Sequence, residues 1–289
     1  GGSFAGWLVS TLGYRMRQRI ALGIMMLAVC LQANSQSERS AENLSFAVAV
    51  GQARYQARET SASGGLLNME KGVLPSLTLR GQWQQDRWFA DVSHLLARHD
   101  VVYEGYTQLG IPLQTATQLA WSTSALSVGR FWPLNERSDM KLQVGLDHLQ
   151  IDRQIRAALG SLPLHETLGL TRGLLGLHWS HGEPFGWRWE AGVDVLRRMR
   201  SQLKVDTYGL YDPITLQPGN GTDWRFRVQA AYRWQGGLTG FVTVSQDTVR
   251  PGASSQEVWS QQGRPVLAVR YPGSHQTLKN LQAGVAWQF

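Results

Sequence analysis

Between Trp224 and Trp234 the sequence alternates without a break. Trp224, Phe226, Val228, Ala230, Tyr232 and Trp234 fall on one side of a strand, and Arg225, Arg227, Gln229, Ala231 and Arg233 on the other. Successive side chains of a strand point to opposite faces, so an apolar face and an arginine-bearing face are held back to back. The guanidiniums need water or counter-charges, while the apolar side needs a dry medium. A soluble sandwich meets both demands by turning the apolar face inward. A membrane barrel meets them the other way round, with the apolar face to lipid and the polar face to the lumen. Alternation alone does not separate the two.

The ends of the strands do. The same period predicts strands over 43–58, 75–85, 87–99, 113–132, 138–154, 165–181, 185–205, 224–234, 237–250 and 278–289. The connections at Asp86-Arg87, Pro133 to Arg137, Gly182 to Pro184 and Gln235 to Gly237 are short. Those at 59–74, 100–112, 155–164, 206–222 and 251–277 are long. Short turns alternating with long loops are the layout of an outer-membrane barrel with an even strand count. Of the 12 tryptophans, Trp83, Trp88, Trp132, Trp179, Trp187, Trp189, Trp234 and Trp287 lie at the short-turn ends. That is where an interfacial aromatic girdle belongs. The fold expected is an all-β, transmembrane, antiparallel up-and-down barrel of about ten strands, or twelve if 256–271 adds a hairpin to the wall.

The N-terminal region reads as an export signal. Arg15, Arg17 and Arg19 precede the apolar run Ile20–Leu31, followed by the small-x-small site Ala33-Asn34-Ser35. On this reading residues 1–15 lie upstream of a start at Met16, 16–36 form the signal, and 37–289 form the barrel. The single cysteine, Cys30, falls inside the signal and excludes an intrachain disulfide. No later apolar run reaches the length of a transmembrane helix. The net charge of +7 is not gathered into a nucleic-acid motif, so nucleic acid is not expected as a partner.

The sequence closes on NLQAGVAWQF, in which Leu281, Ala283, Val285, Trp287 and Phe289 alternate with small or polar residues. This segment resembles the C-terminal β-signal of bacterial outer-membrane β-barrel proteins. The resemblance, taken with the export signal and strand layout, extends over nearly the whole mature chain. It implies a Gram-negative outer-membrane location, recognition by the barrel-assembly machinery, and a surrounding of outer-membrane lipids and lipopolysaccharide. It implies an architecture and no particular activity.

Carried through, the alternation assigns Arg80, Asp91, Lys141, Asp147, Arg188, Glu190, Asp194, Arg225, Arg227, Arg233 and Asp247 to the lumen. They read either as a salt-bridged interior or as the lining of a narrow anion-favouring channel, porin-like in the second case. Arg54, Arg58, Arg98, Arg153, Arg156, Arg197, Arg198, Arg200 and Lys204 cap the long-loop ends. There they are placed to meet lipopolysaccharide phosphates, which arginine binds through paired charge-assisted hydrogen bonds. His94, Asp100, His148 and Asp152 are the candidate catalytic residues. A rim cleft holding them would activate a water for peptide cleavage, in the general manner of omptins, which are ten-stranded outer-membrane proteases. The sequence lacks a clear acidic pair opposite a His–Asp pair, and the adjacent Asp147 and His148 fall on opposite faces.

His178 and Ser180 share one face, expected toward lipid, without an evident acidic partner. The loop YEGYTQLGIPLQT, 103–115, reads as a shaped turn. No phosphate loop, metal-ligand spacing or nucleotide fingerprint occurs, so no cofactor and no metal is implied. The function expected is a non-enzymatic surface barrel whose loops contact lipopolysaccharide or a partner. The alternatives are the narrow channel and an omptin-like surface protease.

Overall fold

The computed structural model describes residues 43–61, 64–106, 111–158 and 163–289. The export-signal reading, Cys30 included, lies outside the described residues, as does the tip 107–110. Fifteen strands run in chain order. The first seven are β1 (Asn43–Thr60), β2 (Leu66–Gln85), β3 (Trp88–Tyr106), β4 (Pro112–Asn135), β5 (Ser138–Ile155), β6 (Leu164–Gly182) and β7 (Gly186–Asp206). Then come the short β8 (Ile214–Leu216) and β9 (Pro218–Gly219), followed by β10 (Thr222–Arg233), β11 (Leu238–Val249) and β12 (Gly252–Ser254). The last are β13 (Glu257–Gln261), β14 (Arg264–Val269) and β15 (Ser274–Gln288).

Ten of these close a barrel: β1 to β7 in sequence, then β10, β11 and β15, with β15 pairing back onto β1 and every pairing antiparallel. Over the height spanned by β10 and β11 closure leaves no edge strand, the condition for a sheet to lie in hydrocarbon. At the seam the Phe289 amide donates to the Leu44 carbonyl at 2.8 Å. The 256–271 segment does form a hairpin, β13 with β14, but as a separate two-stranded ribbon outside the wall. Trp259 fixes it, donating its indole N–H to the Asp212 carbonyl at 2.8 Å and packing on Tyr211.

Along each long strand the two faces exchange roles. On β5 the outward residues are Met140, Leu142, Val144 and Leu146, and then His148, Gln150, Asp152 and Gln154; the inward ones are Lys141, Gln143 and Asp147, and then Leu149 and Ile151. On β4, Leu126 and Val128 are exposed beneath Ser124, while Leu119 and Trp121 are fully buried above Thr123 and Ser127. The changeover recurs on four adjacent strands. His94, Ser124, His148 and Thr171 are direct cross-strand neighbours, and both histidines bond to the hydroxyl beside them, at 2.9 and 3.3 Å. Below that row the exterior is apolar down to the girdle of exposed tryptophans, Trp83, Trp88, Trp132, Trp179, Trp187, Trp189, Trp234 and Trp287. Above it the exterior of β5 is polar, while β2, β3 and β7 keep exposed Val73, Val102 and Met199.

The 24 residues of β4 span about 80 Å along the strand at roughly 3.4 Å per residue. With a strand tilt of about 40° they rise about 60 Å, more than twice the apolar band of about 25 Å that a membrane barrel needs. The barrel therefore stands well clear of the membrane at its long-loop end. This height explains why 66–74 and 100–106 extend β2 and β3 instead of forming loops. Their apolar residues, Leu74, Val101 and Tyr103, point inward to a dry interior, opposite in sense to the lipid-facing pattern below. Likewise Tyr103–Tyr106 belongs to β3 and Pro112–Thr115 to β4, paired as the ends of one hairpin.

Placing a charge in the belt tests the boundary. Val144→Arg is expected to destabilise the barrel by about 2–4 kcal/mol in lipid vesicles. Gln150→Arg, six residues higher on the same outer face, should change stability by less than about 0.5 kcal/mol. Urea unfolding of the two variants measures both.

Candidate functional site

The interior is divided into three storeys. At mid-height Arg172 of β6, with 0 % exposure, lies 2.6 Å from Asp147 of β5, 3.3 Å from Asp223 of β10 and 3.5 Å from Asp247 of β11. Arg198 meets Asp223 at 2.7 Å, and Arg225 meets Asp147 and Asp247, each at 2.8 Å. Three guanidiniums thus face three carboxylates across five strands. Burying an ion pair is costly unless the charges balance and their hydrogen bonds are met, and here the charges balance.

Above this latch lies an apolar plug that includes Tyr55, Leu119, Trp121, Leu149, Ile151, Leu170 and Leu278, each at most 1 % exposed. Over the plug a second ion network holds Arg153 against Glu166 at 2.7 Å, Glu59 at 3.0 Å and Glu70 at 3.1 Å. The long loops then cover the mouth, with Leu216, Ser254 and Tyr271 buried into it.

Below the latch a cavity of about 650 Å³ runs from Arg225 and Asp247 to the turn residues Asp86, Pro184 and Gly237. It opens at the short-turn end, the periplasmic side in barrels of this kind. Arg80 pairs with Asp91, and Arg188 with Asp139 at 2.9 Å. His178 contacts Asp194 at 2.9 Å and Glu190 at 3.3 Å. Gly192 makes room for that imidazole, since a Cβ there would stand 2.4 Å from His178 Nδ1. Among the described residues no group of His, Cys, Asp and Glu is arranged to hold a metal ion.

The structure places all of the expected lumen residues, Arg80, Asp91, Lys141, Asp147, Arg188, Glu190, Asp194, Arg225, Arg227, Arg233 and Asp247, on the inner side of the wall. Two residues expected at the outer surface are inside as well. Arg153 takes the inward parity of β5 and is 4 % exposed. Arg198 keeps the inward parity of Asp194 and Leu196 on β7, and just above it the β6–β7 register slips at Thr171/Arg172, pairing Arg198 with Arg172 and Arg200 with Thr171. The extra residue, Met199, makes a bulge. It leaves Arg197 and Arg200 both outside, three apart, with Arg198 buried between them.

His178 and Ser180, expected toward lipid, face the cavity. The plug leaves no continuous lumen for a channel among the described residues.

The rim candidates do not converge. His94 bonds to Ser124 and His148 to Thr171, both on the outer wall at the membrane boundary. Asp100 accepts from Arg156 at 2.6 Å. Asp152 does meet an imidazole, that of His165 at 2.9 Å, with Thr167 donating to the same carboxylate oxygen at 3.1 Å. This pair lies on the exterior of β5 and β6, against Tyr208, and not in a cleft. The sequence reading missed His165, and it missed Arg172 and Asp223. The available signal was Arg172 between Leu170 and Leu174 on a single strand face, a charge in an otherwise apolar row.

No family model matches the chain, and no curated protein matches its sequence. Similarity appears in the fold. The outer membrane protease OmpT of Escherichia coli superposes with a TM-score of 0.64 over 89% of this chain and 99% of that one, at 11% identity. The translocator domain of the autotransporter NalP of Neisseria meningitidis gives 0.42 at 11% identity, covering 97% of this chain and 100% of that one. The β domain of the Bordetella autotransporter BrkA gives 0.39 at 13% identity, over 85% and 98% of the two chains.

Two outcomes test the three-storey interior. Arg172→Met leaves the three carboxylates facing two guanidiniums and is expected to cost about 3 kcal/mol in urea unfolding. The refolded wild-type barrel should insert into a planar bilayer without discrete conductance steps.

Proposed function

We propose that this closed ten-stranded barrel of the outer-membrane type is a non-enzymatic surface pillar that engages lipopolysaccharide through its outer wall. The observation that carries the reading is a set of exposed cations directly above the apolar belt. On β1 and β15, Arg54 stands opposite Lys279 and Arg58 opposite His275. Like charges directly opposed across strands are unfavourable, and among the described residues no carboxylate forms an ion pair with Arg54, Arg58 or Lys279. Beneath them on the same faces lie Leu281, next below Lys279, and Val50, separated from Arg54 by Gln52; Leu281 and Val50 are exposed apolar residues of the belt. The cations are thus at the height of the outer-leaflet headgroups, where phosphates relieve their repulsion.

Arg98, Arg197, Arg200 and Lys204 continue the collar on β3 and β7, with Arg197, Arg200 and Lys204 exposed. Arg156 is already paired to Asp100, and Arg153 and Arg198 are buried, so these three contribute little. The projecting upper barrel and the β13–β14 ribbon, with Val258 60 % and Val266 54 % exposed, are the surfaces offered to an external partner. Recognition by the barrel-assembly machinery belongs to the same proposal and rests on the outward row Leu281, Ala283, Val285, Trp287 and Phe289.

OmpT is described as an outer membrane protease, and its likeness to this chain is one of fold, at 11% identity. The scattered partners of His94, Asp100, His148 and Asp152 give that activity no support here.

Lipopolysaccharide binding to the refolded protein tests the proposal. Arg54→Gln and Lys279→Gln are each expected to weaken it about fivefold, equivalent to about 1 kcal/mol per surface charge. Arg156→Gln should have a smaller effect. Unchanged affinity in an Arg54→Gln/Lys279→Gln variant would refute the collar.

A further inference from the structure

The cavity below the latch holds more cations than its acids neutralise. Arg80, Arg188, Arg225 and His178 each have a carboxylate in contact. Four do not: Arg87, exposed at the turn, and three set within the wall. Lys141 is 6 % exposed and touches no carboxylate, with Asp91 and Glu190 acting on it only from a distance; its ammonium lies 4.0 Å from the centre of the Phe89 ring and 5.8 Å from that of Phe131. Arg227 lines the cavity with neither a carboxylate nor a hydrogen-bond acceptor in contact among the described residues. Arg233, near the mouth, donates to Gln288 and lies 5.8 Å from the Phe185 ring.

A buried ammonium and a partly buried guanidinium with no carboxylate in contact are costly in an interior of low polarity. A structure that only braced its wall with salt bridges would have no reason to retain them. The walls otherwise supply neutral hydrogen-bonding groups, among them Gln229, Thr243 and Ser245, the usual company of a bound polar solute.

We infer that this vestibule, open at the short-turn end and shut by the Arg172 latch, is a binding site for a small multivalent anion entering from the periplasmic side. Lys141 and Arg227 provide the unmet charge, and Arg225, two residues along β10 from Arg227, forms the floor. Arg227 offers the planar donor pair that suits two oxygens of a phosphate or carboxylate, and Lys141 adds a point charge. The volume of about 650 Å³ admits a small solute. The latch and plug above it make this a pocket, not a passage, and the site is separate from the collar on the outer wall.

Titration calorimetry of the refolded barrel in zwitterionic detergent, with inorganic pyrophosphate and with citrate as separate probes, tests the inference. At low salt at least one probe is expected to bind saturably. Arg227→Gln should weaken that binding at least tenfold, Arg227→Lys should restore part of it, and Arg54→Gln on the outer wall should leave it unchanged. Binding of pyrophosphate alone identifies a phosphate site, and binding of citrate alone a carboxylate site; both support the pocket.

A second readout does not depend on removing a charge. Ser245 sits directly opposite Arg227 on β11, and Ser245→Cys should react with a charged thiol reagent more slowly when the probe is present. Absence of saturable binding by both probes, equal affinity in Arg227→Gln, or loss of binding in Arg54→Gln would overturn the inference.

Discussion

A guanidinium with no accessible surface, that of Arg172, is held by Asp147 at 2.6 Å and Asp223 at 3.3 Å in the middle of the barrel. Its neighbours Arg198 and Arg225 bring the charges into balance. Everything else in the interior is arranged about this layer. Below it the wall can be polar and wet because the cavity opens to water. Above it Leu149, Ile151, Leu168 and Leu170 can be apolar because no water reaches them. Burial makes the ion layer stiff as well as costly: removing any one member strands its partners in a dry surrounding.

The same division appears on the outside with the sign reversed. Where the interior is wet, the exterior is apolar and meets lipid; where the interior is dry, the exterior carries Arg54, Arg58, Lys204 and Lys279 into water. One strand such as β5 therefore carries two opposite patterns joined at Asp147-His148, with the aspartate in the latch and the histidine on the outer wall at the boundary of the belt. A barrel filled in this manner resists leaking through its lumen, and it supports an upper half that needs no membrane to stabilise it. Both properties suit a pillar that presents surfaces, and neither is required of a pore.

Fold similarity to a protease does not bring a catalytic site with it. Catalysis needs groups held within hydrogen-bond reach of one reacting atom. Here Asp152 and His165 meet on the convex outer wall, while His94 and His148 mark the membrane boundary. The groups with unmet electrostatic demand are found elsewhere, at Lys141 and Arg227 inside and at Arg54 and Lys279 outside. The two sets lie on opposite faces of the wall and can be separated by mutation.

The sequence by itself determined the lipid-facing strands, the four short turns, the tryptophan girdle and the parity of Arg80, Lys141, Arg225 and Arg227, because side-chain alternation is a local property of one strand. It also pointed to the hairpin at 256–271. Only the tertiary structure decided which face is dry at a given height. Leu74, Val101 and Tyr103 are too sparse to announce strands until the closed upper barrel gives them an interior to fill. Arg153 shares the parity of Asp147 on β5, and Arg198 that of Asp194 on β7, although both stand near the long-loop ends. The height of the barrel carries that inward parity past the lipid belt and buries both, while a single-residue bulge at Met199 turns Arg200 outward. Arg172 and Asp223, 51 residues apart, become partners only because β7 and β10 close the wall. The latch is a property of the closed circle of strands, and no single strand encodes it.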